Sequence, residues 1–164
     1  MGGEQQIGRS GTLNVPGIIG LGWACEIAMN NQKNITKNLA LLRDTFEQEI
    51  LERVPDIITI VGKDTNRLPN VSNLIIEGVE GERFMINVGN QLAFSTGSAC
   101  SKGKPSHVLR TMGYELSEIS NSIRISFSKF NHLDELDKVL ELMTNEIKRI
   151  RNESFRIRLH TTVI

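Results

Sequence analysis

The chain has 164 residues, with 19 Lys+Arg against 19 Asp+Glu and a formal net charge of zero. That length suits one domain with a real core, and the balanced charge argues against a dedicated nucleic-acid binder. Hydrophobic residues at 39% and charged residues at 23% are globular proportions, and no apolar run approaches the ~20 residues needed to span a bilayer. The polar, Gly-rich start does not read as a secretory leader. Two cysteines, Cys25 and Cys100, make no disulfide framework, so a reducing cytoplasm is the expected location.

Residues 1–12 are irregular and open no core. They read either as a flexible tail or as a loop that contacts an anion through backbone amides and Thr12, with Arg9 close by. From Val15 to about Asn30 the pattern predicts a helix, with Pro16 in its first turn. Val15, Ile18, Ile19, Leu21, Trp23, Ala24, Ile27 and Ala28 make it apolar almost all round, which implies burial against a partner domain or subunit. Cys25 reads there as a small hydrophobe. A second helix is expected from about Thr36 to Arg53, with Leu39, Leu42, Phe46 and Ile50 on one stripe, Thr36 as a candidate cap and Pro55 as its stop.

Ile57 to Val61 is a β-branched run that predicts a central strand, and Val71 to Ile76 predicts another. Glu80 to about Gln91 reads as a helix with Phe84, Met85 and Val88 inward. A short strand, Leu92 to Thr96, then leads to Ser95-Thr96-Gly97-Ser98-Ala99-Cys100. Pro105 opens a short helix that Gly113 closes, and Leu116 to Ser120 adds a helical turn. Ile123 to Ser128 alternates, with Ile123, Ile125 and Phe127 on one face and Arg124, Ser126 and Ser128 on the other. Leu133 to about Ile150 is an amphipathic helix whose terminal charges suit its dipole. The basic, then apolar tail from Glu153 to Ile164 has no assignment. The order implies an α/β or α+β sandwich, helices packed on a small sheet.

Three residues stand out as chemistry. Cys100 lies among small side chains with Lys102 and Lys104 close behind, which favours the thiolate. It reads as a nucleophile or as a loop thiol without a role. Metal binding has weak support, since no CxxC or CxxH pattern exists and only His107 is near. Arg124 reads as an exposed edge arginine or as a guanidinium fork that binds a carboxylate in two places. Thr12 suits a phosphate. His107 is a candidate base or a surface histidine.

On three blocks the chain resembles the C-terminal part of a cysteine desulfurase, in the class V aminotransferase group of pyridoxal-phosphate enzymes. The blocks are Arg9-Ser10-Gly11-Thr12 with Asn14-Val15-Pro16, Ser95 to Cys100 with Pro105 to Arg110, and Ser122 to Ser128. Their order and intervals match the family over about residues 1 to 150. The resemblance implies the small C-terminal domain of a fold-type I pyridoxal-phosphate-dependent transferase over residues 15–152. Residues 1–14 would be a Gly-rich cofactor-phosphate loop left from the large domain, and residues 153–164 a tail.

The resemblance also implies roles. Cys100 is the nucleophile that takes sulfur from L-cysteine, becomes a persulfide and leaves alanine. Arg124 holds the substrate carboxylate. Thr12 reaches the cofactor phosphate of the other subunit of a homodimer. The persulfide would pass to a scaffold, a carrier, or a partner that modifies tRNA or DNA. No metal, membrane or direct nucleic-acid contact is implied.

Two features depart from the family. The large domain with its Schiff-base lysine should precede the Gly-rich block, so the chain by itself is expected to be inactive. The segment from Cys100 to Pro105 is also shorter than in housekeeping members, which points to a different acceptor. The alternatives are a non-catalytic module that binds partners through its first helix, and a selenocysteine lyase-like enzyme.

Overall fold

The computed structural model describes residues 11–96 and 105–161, the side chains of 156–161 excepted. The chain divides into two compact units, with the boundary between Thr36 and Lys37.

One helix, α1 (Val15–Arg53), replaces the two expected from the sequence. The stretch Asn30-Asn31-Gln32-Lys33-Asn34 is polar but holds no proline or glycine, so nothing in it breaks the backbone ladder. Thr36 is therefore an interior residue and caps nothing. At the start, the Asn14 side-chain oxygen accepts from the Gly17 N–H at 3.1 Å. In the first unit, every side chain from Thr12 to Asn34 is exposed, including Ile18, Leu21 and Trp23.

The second unit holds the core. Its sheet has three antiparallel strands in the order β1 (Ile58–Ile60), β2 (Val71–Ile76), β3 (Ser122–Ser126). The β-branched run at Ile57 to Val61 thus lies on an edge and β2 is central, contrary to expectation. Hydrophobicity marks a strand as buried, but only pairing decides its place in the sheet. The register aligns Ile60 with Leu74 and Leu74 with Ile123, which puts buried side chains in a row on one face. Leu42, Phe46 and Ile50 of α1 are buried in this unit, and the Phe46 and Phe127 rings meet edge to face at 5.6 Å.

After β2 come α2 (Gly81–Val88), α3 (His107–Thr111) and α4 (Leu116–Ser120). A 3₁₀ turn (Leu133–Glu135) follows β3, and the chain closes with α5 (Leu136–Thr161). Helix α5 buries Leu140, Met143, Ile147 and Ile150, the amphipathic stripe read from the sequence. It also runs through most of the tail that had no assignment. Two polar clamps tie distant parts of the unit together. The Arg67 guanidinium donates to both oxygens of buried Glu47 at 2.6 Å, and Arg83 pairs with Glu153.

At Gly81 a side chain is excluded by close approach between distant segments. A Cβ there would lie 2.7 Å from the Ser122 carbonyl oxygen and 3.3 Å from Thr96. The start of α2 is therefore pressed against the start of β3 and the last described residue before the cysteine segment.

Candidate functional site

The sheet's second face mixes polar residues with Val61, Val71 and Ile75. Alternation along each strand puts Thr59, Asn73, Arg124 and Ser126 there, while Ile60, Leu74, Ile123 and Ile125 fill the core face. Arg124 sits mid-strand on β3, and its side chain is exposed. Its backbone N–H donates to the Ser95 carbonyl at 2.7 Å, and its carbonyl accepts from the Ser95 N–H at 3.0 Å. This isolated bridge replaces the short strand expected at Leu92 to Thr96. It fixes the entry to the segment that holds Cys100 directly beside Arg124.

The charge of Arg124 is uncommitted. Arg43, Arg53, Arg67, Arg83 and Arg149 each pair with a carboxylate. Arg124 makes no side-chain hydrogen bond or ion pair among the described residues. A mid-sheet guanidinium without an internal carboxylate is suited to an external one.

Cys100, Lys102 and Lys104 lie outside the described residues. The chain re-enters at Pro105, and the Ser106 hydroxyl oxygen accepts from the Leu109 N–H at 3.4 Å to cap α3. His107 is exposed on that helix's first turn. Thr12 belongs to the first unit and is exposed. Of the three site residues read from the sequence, the structure gives Arg124 a defined setting. Sequence reasoning passed over Asn73, which pairs with Arg124 across β2 and β3 and has a buried, unpartnered side-chain oxygen. The available signal was the polar pair Ser72-Asn73 inside an otherwise apolar strand.

A cleft of about 820 Å³ opens beside the end of β3, with Leu92, Phe127, Leu136 and Val139 in its lining and His132 and Glu135 at its rim. The Glu135 carboxyl is held below its ordinary pKa by the His132 backbone N–H and then by the Asn131 side chain. It accepts these bonds as the cap of the 3₁₀ turn, which is a structural duty.

The chain belongs to the aminotransferase class-V family, whose profile matches residues 4–139. It is similar to cysteine desulfurases. Identity is 41% over 157 residues to the cysteine desulfurase of Gluconacetobacter diazotrophicus, covering 93% of this chain and 39% of that protein. It is 39% over 155 residues to that of Nostoc sp., covering 92% of this chain and 38% of that protein. It is 36% over 157 residues to the cysteine desulfurase NifS of Azotobacter vinelandii, covering 93% and 39%. The solved NifS-like protein from Rickettsia africae superposes with a TM-score of 0.75 at 28% identity, covering 90% of this chain and 39% of that one. The mixed fold of helices on a small sheet is thus that of a part of NifS-like enzymes. The chain spans about two-fifths of the length of these relatives.

Proteins of this family depend on pyridoxal phosphate in general, but the described residues do not form a site for it. Lys33, Lys37, Lys63, Lys129, Lys138 and Lys148 are all exposed, and none lies in the dry slot that a Schiff-base lysine needs. The amides that open α1 are also engaged. Val15 N–H donates to the Leu13 carbonyl, Pro16 has no N–H, and Gly17 N–H donates to Asn14. The Thr12 hydroxyl is one described group there that could meet a phosphate. Among the described residues, no helix is long and apolar enough to cross a membrane.

Proposed function

We propose that this chain is the part of a cysteine desulfurase that carries the sulfur-accepting Cys100 and the substrate-binding Arg124. The observation that carries the reading is the uncommitted Arg124 guanidinium, tied by two backbone hydrogen bonds to Ser95 at the entry to the cysteine segment. Relatives named cysteine desulfurase, similar over nine-tenths of the chain, support it. Arg124 clamps the carboxylate of L-cysteine and thereby orients its sulfur. The Cys100 thiolate attacks that sulfur. The substrate C–S bond breaks, its electron pair stays on the substrate carbon and is protonated, and alanine leaves while Cys100 holds the persulfide.

The remainder of such an enzyme would supply pyridoxal phosphate and its lysine, and Thr12 would contact the cofactor phosphate across a homodimer. Residues 15–152 are read as the small C-terminal domain, and the persulfide as bound for an acceptor protein in iron–sulfur assembly or nucleic-acid thiolation. The test combines the chain with the large domain of a cysteine desulfurase relative, adds sulfur-labelled cysteine and maps the label. Label is expected on Cys100 and absent from Cys100→Ser, and Arg124→Lys should raise KM for cysteine at least tenfold, about the cost of losing a bidentate fork. Alanine release with no label on Cys100 would sink the reading.

A second reading, a non-catalytic binding module, is favoured by one observation. Ile18, Leu21 and Trp23 expose more than half their surface on the first part of α1. Capture of an intact desulfurase whose activity is indifferent to Cys100→Ser in this chain would favour that module.

A further inference from the structure

The second unit has a recess of about 540 Å³ between the loop that follows α1 and the far half of α5. Val54, Pro55, Ile57, Ile147 and Phe155 give it an apolar floor, and Arg53, Lys148 and Arg151 stand in its wall. No aspartate or glutamate is among the lining residues. In a chain with 19 cationic and 19 anionic side chains, three cations and no carboxylate around one recess is a local imbalance.

Helix α5 brings the two kinds of group together. Ile147, Arg151 and Phe155 follow each other at four-residue intervals, and Lys148 and Asn152 form the adjacent row. Ile147 is fully buried and anchors its row in the core, while Phe155 at the other end is 65% exposed. The Arg151 side chain lies over Gly78, where an added Cβ would meet its Nε at 3.7 Å. That contact holds the arginine stem against the turn after β2. Arg53 is already paired with Glu49 and Asp137. Lys148 and Arg151 are exposed and make no ion pair or side-chain hydrogen bond among the described residues. A lone exposed phenylalanine is ordinary surface, and so is a lone lysine. Their convergence with a free arginine on one apolar recess is not.

We propose that this recess docks an acidic segment of a partner protein, with an apolar side chain seated against Phe155 and Ile57 and carboxylates on Lys148 and Arg151. The two free cations select the sign of the partner, and the floor selects a side chain over a bare anion. A nucleic-acid backbone would need a longer row of cations. The surface uses neither Cys100 nor Arg124, so the proposal does not rest on the proposed function.

The test uses the whole chain and a fluorescent, end-blocked peptide, Asp-Leu-Glu-Glu-Leu-Phe. Its amide counterpart, Asn-Leu-Gln-Gln-Leu-Phe, and hexaglutamate are the controls. Anisotropy should show saturable binding of the acidic apolar peptide below about 1 mM, and about tenfold weaker binding of either control. Lys148→Glu combined with Arg151→Glu should weaken binding about tenfold, and Phe155→Ala by a similar factor. Lys63→Glu, an exposed charge reversal at the other end of β1, should leave it unchanged. Should the paired reversal fail to fold, Lys148→Ala with Arg151→Ala removes the charges alone and should show the same direction of loss. No saturable binding, equal binding of the two peptides, or binding indifferent to the paired variant overturns the proposal. So does tighter binding of duplex RNA or of phosphatidylserine vesicles than of the peptide at the same salt. Binding should also persist when the large domain of a cysteine desulfurase relative is bound to the chain. Its loss there would make the recess an internal contact of the enzyme and overturn the docking site.

Discussion

The two halves of α1 share one helix and differ in everything that burial depends on. From Val15 to Thr36 the apolar residues go round the helix, three glycines interrupt them, and Trp23 is 62% exposed. From Lys37 to Arg53 Leu39, Leu42, Phe46 and Ile50 form one buried stripe, with Leu41 outside it, and Phe46 and Ile50 are 0% exposed. A stripe can be satisfied by one core, and the second unit provides it. A helix apolar on all sides needs partners on more than one side to be buried. Apolar content alone therefore misjudges where a helix is buried; the angular width of the apolar surface is the better guide.

Truncation should break the comparison most sharply. Phe46→Ala is expected to cost about 3–5 kcal/mol, the price of an emptied aromatic site, whereas Trp23→Ala should change chain stability by less than about 0.5 kcal/mol. Paired denaturant titrations measure both, and equal losses would mean that Trp23 is packed. Next in size is the clamp between Glu47 and Arg67 on the second half of α1. Arg67→Met strands a carboxylate that is 5% exposed, and a loss of about 2–4 kcal/mol is expected. Rescue by the further change Glu47→Leu would show that the stranded charge was the cause.

A gain is expected in the first half. A Cβ at Gly20 would meet nothing within 4 Å, so Gly20→Ala should stabilise that part of the helix by about 0.5–1 kcal/mol, seen as slower amide exchange around it. If Gly20→Ala instead weakens binding to the large domain of a cysteine desulfurase relative, a tightly packed partner is identified there.

The smallest effect is an acid-side loss confined to the second unit. Burial acts to raise the Glu146 pKa, but hydrogen bonds from Arg149 and Asn87 outweigh it and leave it below the usual carboxylate value. A depressed carboxyl stabilises the fold above its unfolded pKa and loses that contribution as pH falls through the folded value. The midpoint of thermal unfolding should therefore drop on acidification below about pH 4.5, and less steeply in Glu146→Gln. An unchanged slope in the variant would assign the acid limb to other groups.

Much of the second unit was legible in the chain itself. The α5 stripe and the alternation through β3 are periodicities, and a periodicity survives whatever else the chain does. The α1 breakpoint was misread because a polar stretch resembles a linker, although nothing in Asn30 to Asn34 stops a helix. The edge position of β1 was hidden because strand order depends on partners distant in sequence. For the site, Cys100 and Arg124 were marked by motif and by face. Asn73 was not, since its relevance depends on which residue of another strand stands opposite.

The sequence by itself determined the family resemblance, the helix faces, the polar face of β3 and the residues that chemistry would need. It could do so because these are local patterns of residue type. The tertiary structure alone decided that Arg124 is tied to Ser95 and faces Asn73, that Glu47 is neutralised by Arg67, and that Gly81 admits no side chain. Those are contacts between segments far apart in the chain, and they exist only once register and packing have been fixed by burying the core.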